Sequence, residues 1–199
     1  RLRTVTGVSD VCSSDLGLGL GQTVIPFFSR RVGLIGGATV PITAGGKVNG
    51  HVGNTNIGGL VIGTNAKTGG VADRSLMGVV RVKQNIWRES SVGMIGTVGD
   101  PLGRADSSLV GADFTYATSR FRGNKNLRVG AWGLVTKRSD LGSDAKAHGL
   151  EIDYPNDKWD LQLGYKRIGE NFDPSLGFVP RRAAQFYNLR VNNRTRLRT

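Results

Sequence analysis

Three carboxylates crowd one short stretch, Glu151, Asp153 and Asp160, and they form the one acidic group that acid–base chemistry could use. A glycosidase needs an acid and a base or nucleophile with carboxyls about 5–9.5 Å apart. Many acidic hairpins would meet that test, so catalysis and plain charge pairing both stay open, pairing being the simpler. The cations that could answer these acids are Lys47, Arg81, Lys83, Arg128 and Lys166. Metal chemistry has less to draw on. His51 and His148 fall on different faces of any extended chain, and the single cysteine, Cys12, stands apart, so no metal-ligand spacing arises. Gly17-Leu18-Gly19-Leu20-Gly21 lacks the Lys-Ser/Thr of a phosphate loop and reads as a flexible joint. No cofactor is expected.

The elements that must position these charges are strands. From about residue 30 to 192 the apolar period is close to two, which gives a strand two distinct faces. Trp159, Leu161, Leu163 and Tyr165 share one face, and Asp160, Gln162, Gly164 and Lys166 the other. His148, Leu150, Ile152 and Tyr154 alternate in the same way with Gly149, Glu151 and Asp153. Pro155-Asn156-Asp157-Lys158 is a turn signal between the two runs. Closing it as a four-residue loop sets Tyr154 opposite Trp159 and Asp153 opposite Asp160, a like-charge pair that needs a cation nearby. Further strands are predicted around Leu76-Val80-Val82, Val92-Met94, Val110-Ala112-Phe114-Tyr116, and Leu127-Val129-Ala131 with Val135.

The connections between strands alternate in length. Short turns at 53–55, 87–90, 123–126 and 155–158 are interleaved with long polar loops at about 65–75, 98–108, 137–146 and 168–181. In an up-and-down meander this places every short turn at one end, the asymmetry of an outer-membrane barrel with periplasmic turns and external loops. Trp87, Phe121, Tyr154 and Trp159 collect beside the short turns, where an interfacial aromatic girdle would stand. The fold class expected is all-β: an antiparallel up-and-down meander, part of an incomplete transmembrane β-barrel of about ten strands. Its apolar faces would meet lipid, and Lys47, Arg81, Lys83, Arg128, Glu151, Asp153, Asp160 and Lys166 would line the lumen as a charge network. A soluble β-sandwich predicts the same alternation with the faces reversed, and under that reading the carboxylates belong to a periplasmic or secreted glycan-active hydrolase.

Composition narrows the classes. Glycine supplies 30 of 199 residues, about twice the usual share, without a Gly-X-Y period, so collagen is excluded. No run approaches the ~18 apolar residues a membrane helix needs. Lys and Arg total 27 against 15 Asp and Glu, a net charge of +12. Half of that excess comes from Arg181, Arg182, Arg190, Arg194, Arg196 and Arg198. Elsewhere the bases are interspersed with acids, so nucleic acid is not an expected partner. Phe186, Leu189 and Val191 among polar neighbours suggest that this basic tail begins as a strand. Residues 1–16 share no pattern with the rest and look like a non-native leader, a translated adaptor read, with 17–29 leading into a barrel portion over 30–199. With Arg1 in place of Met the true start is expected upstream, and with no aromatic closing strand before 199 the wall is expected to continue beyond it.

Three motifs carry a resemblance: Phe27-Phe28-Ser29-Arg30-Arg31-Val32-Gly33, Val79-Val80-Arg81-Val82-Lys83, and the run from Glu170 through Asn171-Phe172-Asp173-Pro174-Ser175-Leu176-Gly177-Phe178 to Val179. Over roughly residues 25–182 the chain resembles the C-terminal barrel domain, of unassigned function, that follows a family-nine-like carbohydrate-binding module in large Gram-negative envelope proteins. That resemblance implies a location in the cell outer membrane, lipid as partner, and glycan as a partner of an upstream module. It also implies that any action on glycosidic bonds belongs to the whole protein, with no catalytic residue to carry onto this chain.

Overall fold

The computed structural model of the chain describes residues 24–35, 38–65 and 74–194. The leader, Cys12, the Gly17–Gly21 joint and Arg196 and Arg198 lie outside them. Two-residue strands β1 (Leu34–Ile35) and β2 (Ala38–Thr39) form a small ribbon. Among the described residues the main element is one antiparallel sheet of nine strands, with a 3-10 turn at Ser29–Arg31 and an isolated bridge between Ile25 and Phe178. The strands are β3 (Ile42–Val52), β4 (Thr55–Thr64), β5 (Ser75–Ile86), β6 (Ser90–Val98), β7 (Ser108–Phe121), β8 (Lys125–Lys137), β9 (Lys146–Pro155), β10 (Trp159–Ile168) and β11 (Ala184–Asn193). Each pairs with the next in sequence, so the sheet is an uninterrupted meander with β3 and β11 as unpaired edges. It is not closed into a barrel. The all-β, up-and-down expectation holds, with nine strands in the sheet where about ten were predicted.

Turn chemistry sets the alternation of connections. Gly53 and Gly123 take positive φ at short turns, a conformation glycine adopts without steric cost. Long connections follow β4, β6, β8 and β10, so all of them leave the same end of the sheet. Strands of 9–14 residues match the dimensions of a barrel wall. Ten residues rise about 33 Å, and a tilt near 40° brings that to about 25 Å, the height of a barrel's apolar band.

The two faces differ in kind. On one, Val80, Val82, Met94, Val110, Leu150, Leu163 and Leu189 are exposed, and we call this the bare face. On the other, nearest the long loops, Met77, Val79, Ile95, Leu109, Trp132, Leu134, Ala147 and Ile168 pack with Phe27, Phe172 and Leu176 into the core. This covered face turns polar toward the short turns. Its strand residues include glycines that serve as seats for larger neighbours. A Cβ on Gly111 would collide with the Leu134 side chain, and one on Gly149 would stand 2.6 Å from the Trp132 indole nitrogen. Part of the glycine excess is thus spent on the covered face, where large side chains lie flat across neighbouring strands.

Candidate functional site

The polar part of the covered face is the place where charged side chains meet. Period-two alternation delivers them there: Arg81 and Lys83 from β5, Asp113 from β7, Arg128 from β8, Glu151 and Asp153 from β9, and Asp160, Gln162 and Lys166 from β10. Arg81 reaches across β6 to Asp113, Nη1 to Oδ1 at 2.5 Å, both side chains almost fully buried. Gly93 makes that reach possible, since a Cβ there would sit 2.6 Å from Arg81 Nη2. A pair so deeply desolvated contributes less by attraction than it would cost to break, because the survivor would be an uncompensated buried charge.

On the β9–β10 hairpin the acids are spread along the ladder. Glu151 stands opposite Gly164, Asp153 opposite Gln162, and Asp160 opposite Pro155. The expected facing of Asp153 and Asp160 is therefore corrected. Pro155 stays in the strand, the loop closes over Asn156–Trp159, and Tyr154 faces Leu161 instead of Trp159. Asn156 causes the shift: its N–H donates to the carbonyls of Tyr154 and Trp159, both at 3.1 Å, and its side chain reaches Asn126 on the adjoining turn. Faces are unchanged, because the slip keeps parity. Buried Glu151 accepts a hydrogen bond from Gln162 Nε2 at 3.0 Å, and Asn192 Nδ2 donates to Asp160 at 3.3 Å. Arg128 is the direct cross-strand neighbour of Asp153, and Lys166 feels the charge of Glu151.

Seven of the eight residues predicted for the charge network thus fall on the covered face of β5, β8, β9 and β10. Lys47 shares that face on edge strand β3, opposite Leu60, and is exposed. His51 follows it on the same face, while His148 lies on the bare face beside Tyr165, 6.0 Å between ring centroids. Among the described residues no group of three or more His, Cys, Asp or Glu could hold a metal. Trp87, Phe121, Tyr154 and Trp159 stand at the short-turn end of the sheet. Phe121 and Tyr154 meet edge to face at 6.3 Å, and Trp87 meets Tyr116 in the same manner at 6.1 Å.

Sequence reading passed over a second polar cluster, at the opposite end. Arg138, just past β8, donates to Asp173 at 2.8 Å and to Ser175 at 3.0 Å, and also pairs with Asp140. Asp100 accepts from Arg104 Nε at 2.9 Å and from the Leu102 N–H at 2.7 Å. Burial pushes the Asp100 carboxyl up, but hydrogen bonds from Arg104, Ser175 and Leu102 and the Arg104 charge outweigh it and hold the group below its ordinary value. Ser107 donates to Ser175 at 2.6 Å. Three of the long polar loops, carrying Asp100-Pro101, Arg138 and Asp173-Pro174, are one network. The available signal was two Asp-Pro steps and one Arg in loops that leave the same end.

The arrangement can hold charges apart from water and tie loops together. Glu151 is buried and bonded to an amide, and Asp153 stands between it and Asp160 along the ladder, so the three acids follow one another down the same face. Compared with known proteins, the chain matches no family model, no curated protein and no solved structure.

Proposed function

We propose that this sheet is part of the wall of a Gram-negative outer-membrane β-barrel, the membrane-embedded portion of a protein linked to carbohydrate binding or handling, serving as anchor or passage. One observation carries the reading: the apolar side chains of one face are exposed while several charged side chains of the other are buried. Val80, Val110, Leu163 and Leu189 are each at least half exposed, whereas Arg81, Asp113 and Glu151 are under 5 % exposed. A protein surrounded by water has the reverse arrangement. Exposed contiguous apolar surface on this scale calls for a nonpolar solvent or a large partner, and lipid supplies the first.

Trp87 supports the same environment. It sits at φ +52°, an uncommon conformation for a bulky residue, and is 72 % exposed. Membrane interfaces favour such amphipathic rings at headgroup level. The carbohydrate link rests on the resemblance of the Phe27–Gly33 and Glu170–Val179 motifs alone, and glycan would be the partner of an upstream module. A soluble sandwich would need a second sheet over the bare face, and the described residues form one main sheet.

The test uses the full-length parent protein. Membranes washed with carbonate should retain it in the outer-membrane fraction, and unboiled samples should migrate differently from boiled ones on a gel. Release into the soluble fraction without a mobility shift would overturn the reading and return the Glu151, Asp153 and Asp160 group to consideration as hydrolytic.

A further inference from the structure

Two motifs take no part in the wall, and they meet. Ile25 and Phe178 exchange backbone hydrogen bonds at 2.9 and 2.8 Å, and the Phe28 N–H donates to the Leu176 carbonyl at 2.7 Å. The rings of Phe28 and Phe178 lie 5.8 Å apart. Gly177 is required by this docking: a Cβ there would come 2.4 Å from the Ile25 carbonyl oxygen. Its backbone φ is not in the left-handed region, so the close approach of a second segment is what excludes a side chain.

The joined unit does not stand out from the sheet as an ordinary surface loop would. Phe172 and Leu176 are fully buried and Phe27 nearly so, packed in one cluster with Val79, Ile95, Trp132 and Ile168 of the covered face. Polar ties hold it down. Arg138, itself buried, grips Asp173 and Ser175, and Ser175 also receives the Ser107 hydroxyl. The loops after β6, β8 and β10 are therefore fastened around one apolar stopper.

We infer that residues 24–28 and 169–179 form a plug over the loop-end half of the covered face, so that the wall works as a closed anchor and not as an open passage. This deepens the membrane reading above and rests on it, since the covered face is a lumen only if the bare face meets lipid. Stoppering is done by apolar packing and by the Arg138 clasp; the charge network lies beneath it, on the short-turn side.

Two measurements on the full-length parent protein, any other cysteines replaced by Ser, test the plug separately from the membrane. Ile25→Cys/Phe178→Cys should form a disulfide nearly quantitatively on mild oxidation. Failure to crosslink would overturn the docking whether or not the protein is in a membrane. In planar bilayers the unaltered plug should give no steady conductance, whereas replacing residues 170–179 by a Gly-Ser linker should give resolved steps at least tenfold above background. Equal conductance with and without the plug would overturn closure while leaving the barrel intact. A parent protein that gives no heat-shifted barrel would sink the membrane reading and the closed lumen with it, and the crosslink would then report on the docking alone.

Discussion

Arg81 and Asp113 show how a single glycine governs a buried ion pair. The guanidinium crosses β6 above Gly93, the position where a side chain would displace it. Asp113→Ala removes one partner and leaves the other charge buried, which costs about 3–5 kcal/mol. Urea titration of the folded form, followed by gel mobility, should show that loss, and Arg81→Met/Asp113→Leu should recover much of it. A loss under about 1 kcal/mol for the single variant, the range of a solvated pair, would mean that water reaches it. Asp100 makes a pH-dependent contribution at the loop end. Its folded carboxyl is held below the ordinary value of 3.8, so the folded chain binds that proton more weakly than the unfolded one. The contribution is full above the unfolded value and is lost as pH falls through the lower folded one. The loop cluster should therefore stay protected from an acid-active protease at about pH 5 and be cut faster below about pH 4, with Asp100→Asn abolishing most of the difference. This cluster is not legible in the sequence, because Arg138, Asp100 and Asp173 come from three loops and their meeting depends on the sheet that joins them.

At the scale of elements, the strands are legible and their register is not. Period-two alternation locates the strands from β5 onward and assigns the charged residues to one face, since parity survives any slip of two residues; β3 and β4, with glycine at several apolar positions, are not individually legible. The β9–β10 pairing departs from the expected register because Asn156, not Pro155, closes the turn. Cysteine pairs report the difference directly. Ile152→Cys/Leu163→Cys should oxidise readily, as these residues are cross-strand partners, and Ile152→Cys/Leu161→Cys should do so at least tenfold more slowly. The reverse order would restore the 155–158 loop that the sequence suggests. The covered-face glycines have a use that composition does not reveal: Gly93, Gly111 and Gly149 seat Arg81, Leu134 and Trp132. A glycine's use depends on which neighbour leans over it, and that neighbour belongs to another strand.

For the whole molecule, the question is which solvent the bare face meets. The meander, its alternating connections and its aromatic end can all be read in the sequence. Which face is covered cannot, because alternation is symmetric under exchange of inside and outside. The plug breaks that symmetry by burying Phe27, Phe172 and Leu176 against the side that carries Arg81 and Glu151. If the bare face meets lipid as proposed, Leu163→Arg places a charge there at a cost of about 2–4 kcal/mol near the bilayer midplane. Barrel assembly in the outer membrane should fall sharply for that variant and hardly at all for Asp160→Asn. The most direct test is a spin-label scan of positions 148–154 in the full-length parent protein, any other cysteines replaced by Ser, reconstituted in lipid vesicles. Labels at 148, 150, 152 and 154 should collide strongly with dissolved oxygen and weakly with a water-soluble nickel complex, with 149, 151 and 153 out of phase. Bare-face labels that collide freely with the nickel complex would contradict the account.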